Sequence, residues 1–427
     1  MSGLVLIGLL ALLLAGRTRI AFAVGLASLG YLVLFMPGVD LETVAQRMYA
    51  GADSFALTAI PFFVLVGELM SRGGISERLV HLARTLVGHL TGGMGLVQLV
   101  VSAIFASFSG SAVANAAGTG SITIPAMIRS RYPRGLAAAM ESTSSSLGAI
   151  IPPSIPMIIY GTTAGVSIGA LFIAGYVPAA LLALALAVGI RRAARRHQVP
   201  VDPRPSIREI GRATWRATPA LATPVVIMGG ILGGVMTPTE AGAVGALYAL
   251  LVGAFGYREL RIREIGAALA GTARTTGVVM LVMTTASLFS WILAFERIPQ
   301  TVAEAVLSQL TDPRVIMLLV VALLLVAGMV IDTISALIVL VPVLTPVAVV
   351  AGVDPLAAGV IMVVALTLGV CTPPVGVTLF VTSSIARTTI EDTSRAALPF
   401  VVLMVAVLVV LALFPETLLW LPRAFGF

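Results

Sequence analysis

Two short runs of helix-breaking residues stand inside otherwise apolar sequence: Ser109-Gly110-Ser111, and Gly148 through Pro152-Pro153 with Ser154 just beyond. In hydrocarbon every backbone N–H and C=O needs a partner, so a broken helix persists only where it is buried in protein or lines a wet cavity. Such a break exposes useful groups at mid-depth. Half-helix N-termini offer N–H donors and a partial positive charge, which suit a carboxylate. Half-helix C-termini and unwound backbone offer carbonyl oxygens, which suit Na⁺. Proline supplies no N–H and holds the break open; glycine lets backbone approach a ligand closely. The hydroxyls of Ser109, Ser111, Ser144, Ser145, Ser146, Ser154, Thr333, Ser335, Thr372 and Thr378 add neutral oxygen ligands. The combination fits a hard cation and an organic anion, with no covalent step.

Plainer roles compete for some of these residues. Small residues in membrane helices ordinarily mean close helix packing, which covers Ala112, Ala114, Ala116, Ala117, Gly118 and Gly120. Asn115 suits either an interhelical hydrogen bond or a substrate contact. Asp332 is the most telling single residue, because a carboxylate at membrane depth is costly and by default functional. It suits a cation site or a turn cap nearer the surface. Glu68 and Glu141, beside Arg72 and Arg134, read as anchors at helix ends. Glu240, after Thr237-Pro238-Thr239, reads as a first-turn helix acid.

The elements that position these residues must be membrane helices. Of 427 residues, 59% are hydrophobic and only 11% charged, against about 25% charged in soluble proteins. Apolar runs of helical length predict an all-α polytopic protein with about ten to twelve spans. All 26 basic residues are arginine and sit mostly in short loops. They read as topology signals rather than a nucleic-acid surface. One cysteine, Cys371, excludes an internal disulfide, and His81, His89 and His197 are too scattered for a metal site. The apolar start, 3–15, is followed by Arg17 and Arg19 rather than a cleavage site, so it reads as mature protein.

In chain order, 95–107 enters the membrane, turns at Ser109-Gly110-Ser111, and exits at Arg129, Arg131 and Arg134. The limbs look too short to span alone, which predicts a re-entrant helical hairpin. A helix over 136–150 then breaks at Pro152-Pro153. The stretch 191–216, rich in arginine and proline, predicts a cytoplasmic linker between two halves, 1–190 and 217–427. In the second half, 315–330 meets Asp332-Thr333, and 357–370 breaks at Pro373-Pro374.

The halves repeat at one offset. Pro125 and Pro346 differ by 221, as do Gly148 and Gly369, Pro152 and Pro373, Pro153 and Pro374, and Pro178 and Pro399. Ser111 matches Asp332 at the same offset. Paired broken segments in corresponding positions of two halves are the best sequence pointer to a transporter's midplane site. The expected unit is helix, hairpin, broken helix, helix, with the two copies inverted. An intramembrane protease would need a Ser–His or paired-Asp constellation. No histidine lies between His89 and His197, and Asp332 has no evident partner, so an enzyme is not expected.

The chain resembles the large membrane subunit of tripartite ATP-independent periplasmic (TRAP) transporters, the DctM-like permeases of the ion-transporter superfamily. The resemblance rests on Ile60-Pro61-Phe62-Phe63 with Gly67-Glu68-Leu69-Met70, Ser109 through Ala114, Ile150 through Pro156, Thr237 through Ala241, Thr372-Pro373-Pro374-Val375-Gly376, Pro399-Phe400 and Phe414-Pro415-Glu416. It implies an elevator-type, Na⁺-coupled permease in the bacterial inner membrane. A periplasmic binding protein would deliver an organic anion, and a small four-helix membrane subunit would complete the permease. A self-sufficient carrier of the same superfamily is the alternative. The resemblance puts one Na⁺ site at Ser109, Gly110 and Ser111 against Gly148 and Pro152. It puts the other at Asp332 and Thr333 against Gly369 and Thr372. The substrate set is Asn115, Ser145, Ser154, Ser335 and Thr378. Two departures stand out: Ala365 where the family often has asparagine, and the run Glu141-Ser142-Thr143-Ser144-Ser145-Ser146 in place of a more apolar segment.

Overall fold

Backbone polar groups in hydrocarbon must be satisfied locally, and this chain satisfies them with helices. The computed structural model describes residues 2–16, 18–310 and 312–427, and none of these is in a strand. Arg17 lies outside the described residues. Seven described helices are long and apolar enough to cross a membrane, from 18 residues up to the 34 of Ile262–Phe295. Other apolar helices are shorter, among them Ile155–Ala164 and Val377–Ala386. Against an expected ten to twelve crossings, seven described helices qualify by length and composition, and the shorter apolar helices include segments beside each break.

The offset of 221 runs through nearly every element. Ser2–Ala15 corresponds to the end of Ile207–Leu232, and Ile20–Phe35 to Pro238–Leu251 with the turn after it. Leu41–Ala52 and Ala59–Arg72 together correspond to Ile262–Phe295. Hairpin 1 is Gly93–Ser109 and Ala112–Arg129; hairpin 2 is Pro313–Val330 and Thr333–Val350. Broken helix 1 is Arg134–Ser145 and Ile155–Ala164; broken helix 2 is Pro355–Gly369 and Val377–Ala386. A closing helix ends each copy, Ile168–Arg196 and Ile390–Leu413. The limbs of hairpin 1 hold 17 and 18 residues, about 25–27 Å at 1.5 Å per residue. They are longer than the sequence suggested, because helix begins at Gly93 and continues past Pro125 to Arg129.

Contacts exchange between the copies. Ile155–Ala164 packs on Thr333–Val350 and Pro355–Gly369, while Val377–Ala386 packs on Ala112–Arg129 and Arg134–Ser145. The hairpins open toward opposite ends of the bundle. At the base of hairpin 1, the Tyr132 hydroxyl donates to the Gly92 carbonyl at 2.5 Å, and the Gly95 backbone lies against Ile190, late in the first closing helix. That helix begins beside Phe427 and the turn Pro415–Leu418. The same turn borders Asp312, Pro313 and Gly352 at the base of hairpin 2.

The basic linker is mostly helix. Arg191, Arg192, Arg195 and Arg196 end the first closing helix, and Arg208, Arg212 and Arg216 begin Ile207–Leu232, leaving 197–206 as the connection. Asp202 ties it to Ile75–Val87, the helix before hairpin 1, accepting a bidentate pair of bonds from Arg84 at 2.7 and 2.9 Å. The Arg84 guanidinium holds the Asp202 carboxyl below its usual range. Thr237 and Glu240 form a capping box at the start of Pro238–Leu251, as the first-turn reading expects.

Close backbone approach fixes the centre. A Cβ on Gly369 would lie 2.5 Å from Gly328 Cα, whereas one on Gly277 would meet nothing within 4 Å. Gly369→Ala should lower the thermal stability of the detergent-purified chain, with an overpacking cost of about 1–3 kcal/mol. Gly277→Ala should leave it unchanged or slightly raised. Equal melting temperatures for the two variants would contradict this packing.

Candidate functional site

Hairpin 1 turns within three residues. Ser109 ends the first limb, Gly110 adopts a left-handed φ of 60°, and Ser111 caps the second limb by accepting from the Ala114 N–H at 3.4 Å. Glycine is required at the turn for its conformation, and because a Cβ there would meet Pro153 O at 3.2 Å and Ile155 Cγ1 at 3.1 Å. The tip thus sits in break 1, where the Ile155 N–H donates to the Gly110 carbonyl at 3.4 Å. Gly148 closes the other side: a Cβ on it would lie 2.8 Å from the Ser111 carbonyl oxygen. Pro152 is buried between the two, and the Ser154 hydroxyl donates to Ala149 O at 2.5 Å while its oxygen caps Met157 N.

Hairpin 2 reproduces the arrangement with different side chains. Asp332 takes the place of Ser111 and caps the second limb through the Ser335 N–H at 3.1 Å. These two positions are Ser111 and Ala114 moved by 221. The Gly376 N–H donates to the Met329 carbonyl at 3.1 Å, and Gly376 is Ile155 moved by 221. Thr333 and Ser335 are buried, whereas the Asp332 side is exposed. The Thr372 hydroxyl donates to Leu368 O at 2.6 Å, and Thr378 to Val370 O at 2.9 Å. The Pro152-Pro153 and Pro373-Pro374 peptide bonds are both cis.

The two arrangements adjoin. Ala112 of tip 1, Ala149 of break 1 and Val370 of break 2 form one buried cluster. Ser142 and Thr378 hydroxyls meet at 2.8 Å, joining the broken helices of both copies. Ser109, Gly110, Ser111 and Gly148 therefore meet at tip 1, with Pro152 and Ser154 in the break beside it. At tip 2 the contacts across the break run from Gly328 and Met329 to Gly369 and Gly376, with Asp332, Thr333 and Ser335 on the limb that follows and Thr372 within the break. Asn115 and Ser145 lie one turn behind tip 1. The Asn115 amide donates to Ser102 O at 3.1 Å, Ser102 Oγ at 3.0 Å and Ser145 O at 3.4 Å, clasping both limbs to the broken helix. Most hydroxyls here donate to backbone carbonyls, which leaves their oxygen lone pairs for a cation. Ser144 Oγ is buried with no hydrogen-bond partner among the described residues.

A cavity of about 730 Å³ reaches tip 1, lined by Ser109, Ser111, Ala114 and Ile155 on one side and by Gly67 and Thr275 on the other. Glu68 sits at its wall, paired with Arg72 at 3.0 Å. Sequence reasoning placed Glu141 beside Arg134 as an end anchor, and the structure corrects this. Glu141 is fully buried and meets the hydroxyls of Thr119 and Thr123, whereas Arg134 donates to Ala386 O at 2.9 Å. The two side chains are seven residues apart, two helical turns, so only Arg134 reaches the helix end. Sequence reasoning also missed Gly328, and named Gly67 only within the Gly67-Glu68-Leu69-Met70 stretch that carries the resemblance. A Cβ on Gly67 would lie 3.3 Å from Phe108 O and Ser109 Cα.

Residues 7–417 match the family model described as the tripartite ATP-independent periplasmic transporter, DctM component. The chain belongs to this family. It is 39% identical over 418 residues to the sialic acid TRAP transporter large permease protein SiaM of Vibrio cholerae, covering 98% of this chain and 97% of that one. It is 40% identical over 412 residues to the isethionate TRAP transporter permease protein DctMQ of Oleidesulfovibrio alaskensis, covering 96% of this chain but 65% of that longer one. In fold it is similar to the solved YdaH transporter of Alcanivorax borkumensis, with a TM-score of 0.63 over 89% of this chain and 88% of that one, at 16% identity. A DctM-family chain is a transporter permease rather than an enzyme, and the described helices make this one a multi-pass membrane protein.

Asn115 holds the DctM-family hairpin to its break through one amide. Asn115→Ala should destabilise the purified permease by about 1–3 kcal/mol, because buried acceptors lose their donor. Thermal unfolding followed by circular dichroism checks this, and an unaltered midpoint would contradict the clasp.

Proposed function

We propose that this chain is the large permease of a Na⁺-coupled uptake system for an organic anion, working as an elevator in the bacterial inner membrane. The observation that carries the reading is the pair of hairpin tips docked into two helix breaks at one offset, opening toward opposite ends of the bundle. In this reading the copies form an inverted repeat and the hairpins are re-entrant. Each tip with its break holds a Na⁺: Ser109, Gly110 and Ser111 with Gly148 and Pro152, and Asp332 and Thr333 with Gly369 and Thr372. The oxygen-rich, largely uncharged donor set suits a hard monovalent cation. The anion lies between the sites, near Asn115, Ser145, Ser154, Ser335 and Thr378, where half-helix N-termini favour negative charge.

The helices sort into two bodies on this reading. Hairpins, broken helices and closing helices pack together as the moving part. Ile20–Phe35, Ala59–Arg72, Pro238–Leu251 and Ile262–Phe295 pack into a frame. Gly67 gives the frame a smooth contact with tip 1. The family name implies a tripartite system, so a small four-helix membrane subunit and a periplasmic binding protein complete it. The relatives named for sialic acid and isethionate both handle organic acids, which supports an organic acid anion as the substrate class.

Reconstitution with both partners in liposomes tests the coupling. An inward Na⁺ gradient should drive uptake without ATP, and uptake indifferent to Na⁺ would remove the proposal's basis. Ser111→Ala and Asp332→Ala should each reduce the rate at least tenfold, whereas Glu68→Ala, at the cavity wall, should reduce it less. An equal loss at Glu68 would move the site toward the wall.

A further inference from the structure

Glu141 is a fully buried carboxyl that neither the Na⁺ sites nor the anion site uses. It lies in broken helix 1 against the second limb of hairpin 1. Thr119 Oγ1 is 2.5 Å from Glu141 Oε1 and 2.8 Å from the Asn115 carbonyl oxygen. Thr123 Oγ1 contacts Glu141 Oε2 and lies 3.0 Å from the Thr119 carbonyl oxygen. Thr119 Oγ1 also lies 3.4 Å from Asn115 Oδ1, making five oxygen–oxygen contacts, and the two hydroxyls supply only two hydrogens. A carbonyl or an ionised carboxylate supplies none. A proton on Glu141 provides a third hydrogen and turns one carboxyl contact into a donated bond.

No charged side chain shares the site. Gly93–Ser109 and Val377–Ala386, which pack on this helix, carry no charged residue. The charges of the other neighbours stand at helix ends: Arg129 on hairpin 1, Arg191, Arg192, Arg195 and Arg196 on the first closing helix, and Glu391, Asp392 and Arg395 on the second. Tyr132 is engaged with Gly92 and Gly95. Gln98 is a second, independent feature. It is fully buried on Gly93–Ser109, which packs on the helix of Glu141, and neither amide atom has a hydrogen-bond partner among the described residues. Its N–H₂ is a donor in reserve for an ionised carboxylate. Ser111, Asn115, Thr119 and Thr123 recur every four residues along one face of the limb, so the tip and Glu141 share one polar stripe.

We propose that Glu141 is a proton-binding site on hairpin 1, neutral in this conformation and ionised when Gln98 turns to it. Coupling of this site to transport rests on the uptake reading above; the protonation itself does not.

Infrared difference spectroscopy of the full chain in lipid, titrated with pH, tests the site without transport. The expected result is a neutral carboxylic acid C=O band that disappears as pH rises and is missing in Glu141→Gln. Gln98→Leu, which removes the reserve donor and keeps both threonine contacts, should preserve the band to higher pH. Absence of the band in the wild-type protein, its persistence in Glu141→Gln, or an unshifted titration in Gln98→Leu would each overturn the proposal. In liposomes, Na⁺-driven uptake should vary with pH for the wild type and lose that variation in Glu141→Gln. Loss of Na⁺-induced thermal stabilisation in Glu141→Gln would instead assign the carboxyl to a cation and overturn the proton site. Wild-type uptake without Na⁺ dependence would count against the transport reading alone.

Discussion

Two backbone hydrogen bonds hold the centre of this molecule together: Ile155 N–H to the Gly110 carbonyl, and Gly376 N–H to the Met329 carbonyl. A helix broken at depth leaves amide groups that lipid cannot satisfy. Here each break receives the tip of a hairpin, and part of its exposed backbone is satisfied there. The rest of the architecture follows from that need. Glycine stands where tip and break touch, at Gly110, Gly148, Gly328 and Gly369, because a side chain would hold the backbones apart. Ser111 and Asp332 cap the returning limbs with an oxygen at the same register.

The polar groups beyond those bonds are graded by distance from the tips. At tip 1, backbone carbonyls and hydroxyls provide neutral oxygens, and at tip 2 the Asp332 carboxylate joins them. One turn behind tip 1, Asn115 clasps three neighbours with its amide. Another turn on, the only described carboxyl fully buried in the bundle, Glu141, meets Thr119 and Thr123. Charged residues reappear at the cavity wall, where Glu68 and Arg72 pair. A pair that is about one-third exposed contributes little to stability, so its value here lies in setting the field at the cavity rather than in holding the fold.

Much of this was legible in the residues. The offset of 221 appeared in Pro125, Gly148, Pro152, Pro153 and Pro178 because helix breakers cannot drift without moving a backbone defect in lipid. The frame helices correspond at the same offset, yet their prolines and glycines do not pair: Pro61, Gly67 and Gly25 stand opposite Val282, Leu288 and Ala246, so no shared breaker marks the register. Glu141 was misread because a sequence gives the spacing to Arg134 and does not give the neighbour across the helix interface. Gly328 was illegible for the same reason: its requirement comes from Gly369, 41 positions away in the chain. The tips were found because their chemistry is local; the Asn115 clasp was one of two roles the residue allowed, and the buried carboxyl was missed because its neighbours are tertiary.

The account's central claim is that hairpin 1 moves against the frame while staying docked in its break. Ser121 and Thr275 line opposite walls of the cavity, one on the hairpin and one on Ile262–Phe295, and the native Cys371 is buried. The decisive measurement is substrate uptake by a Ser121→Cys, Thr275→Cys permease before and after bridging with a bifunctional thiol reagent. The account predicts that bridging stops uptake and that a reducible bridge, once cleaved, restores it. Full uptake through a completely bridged permease would contradict it.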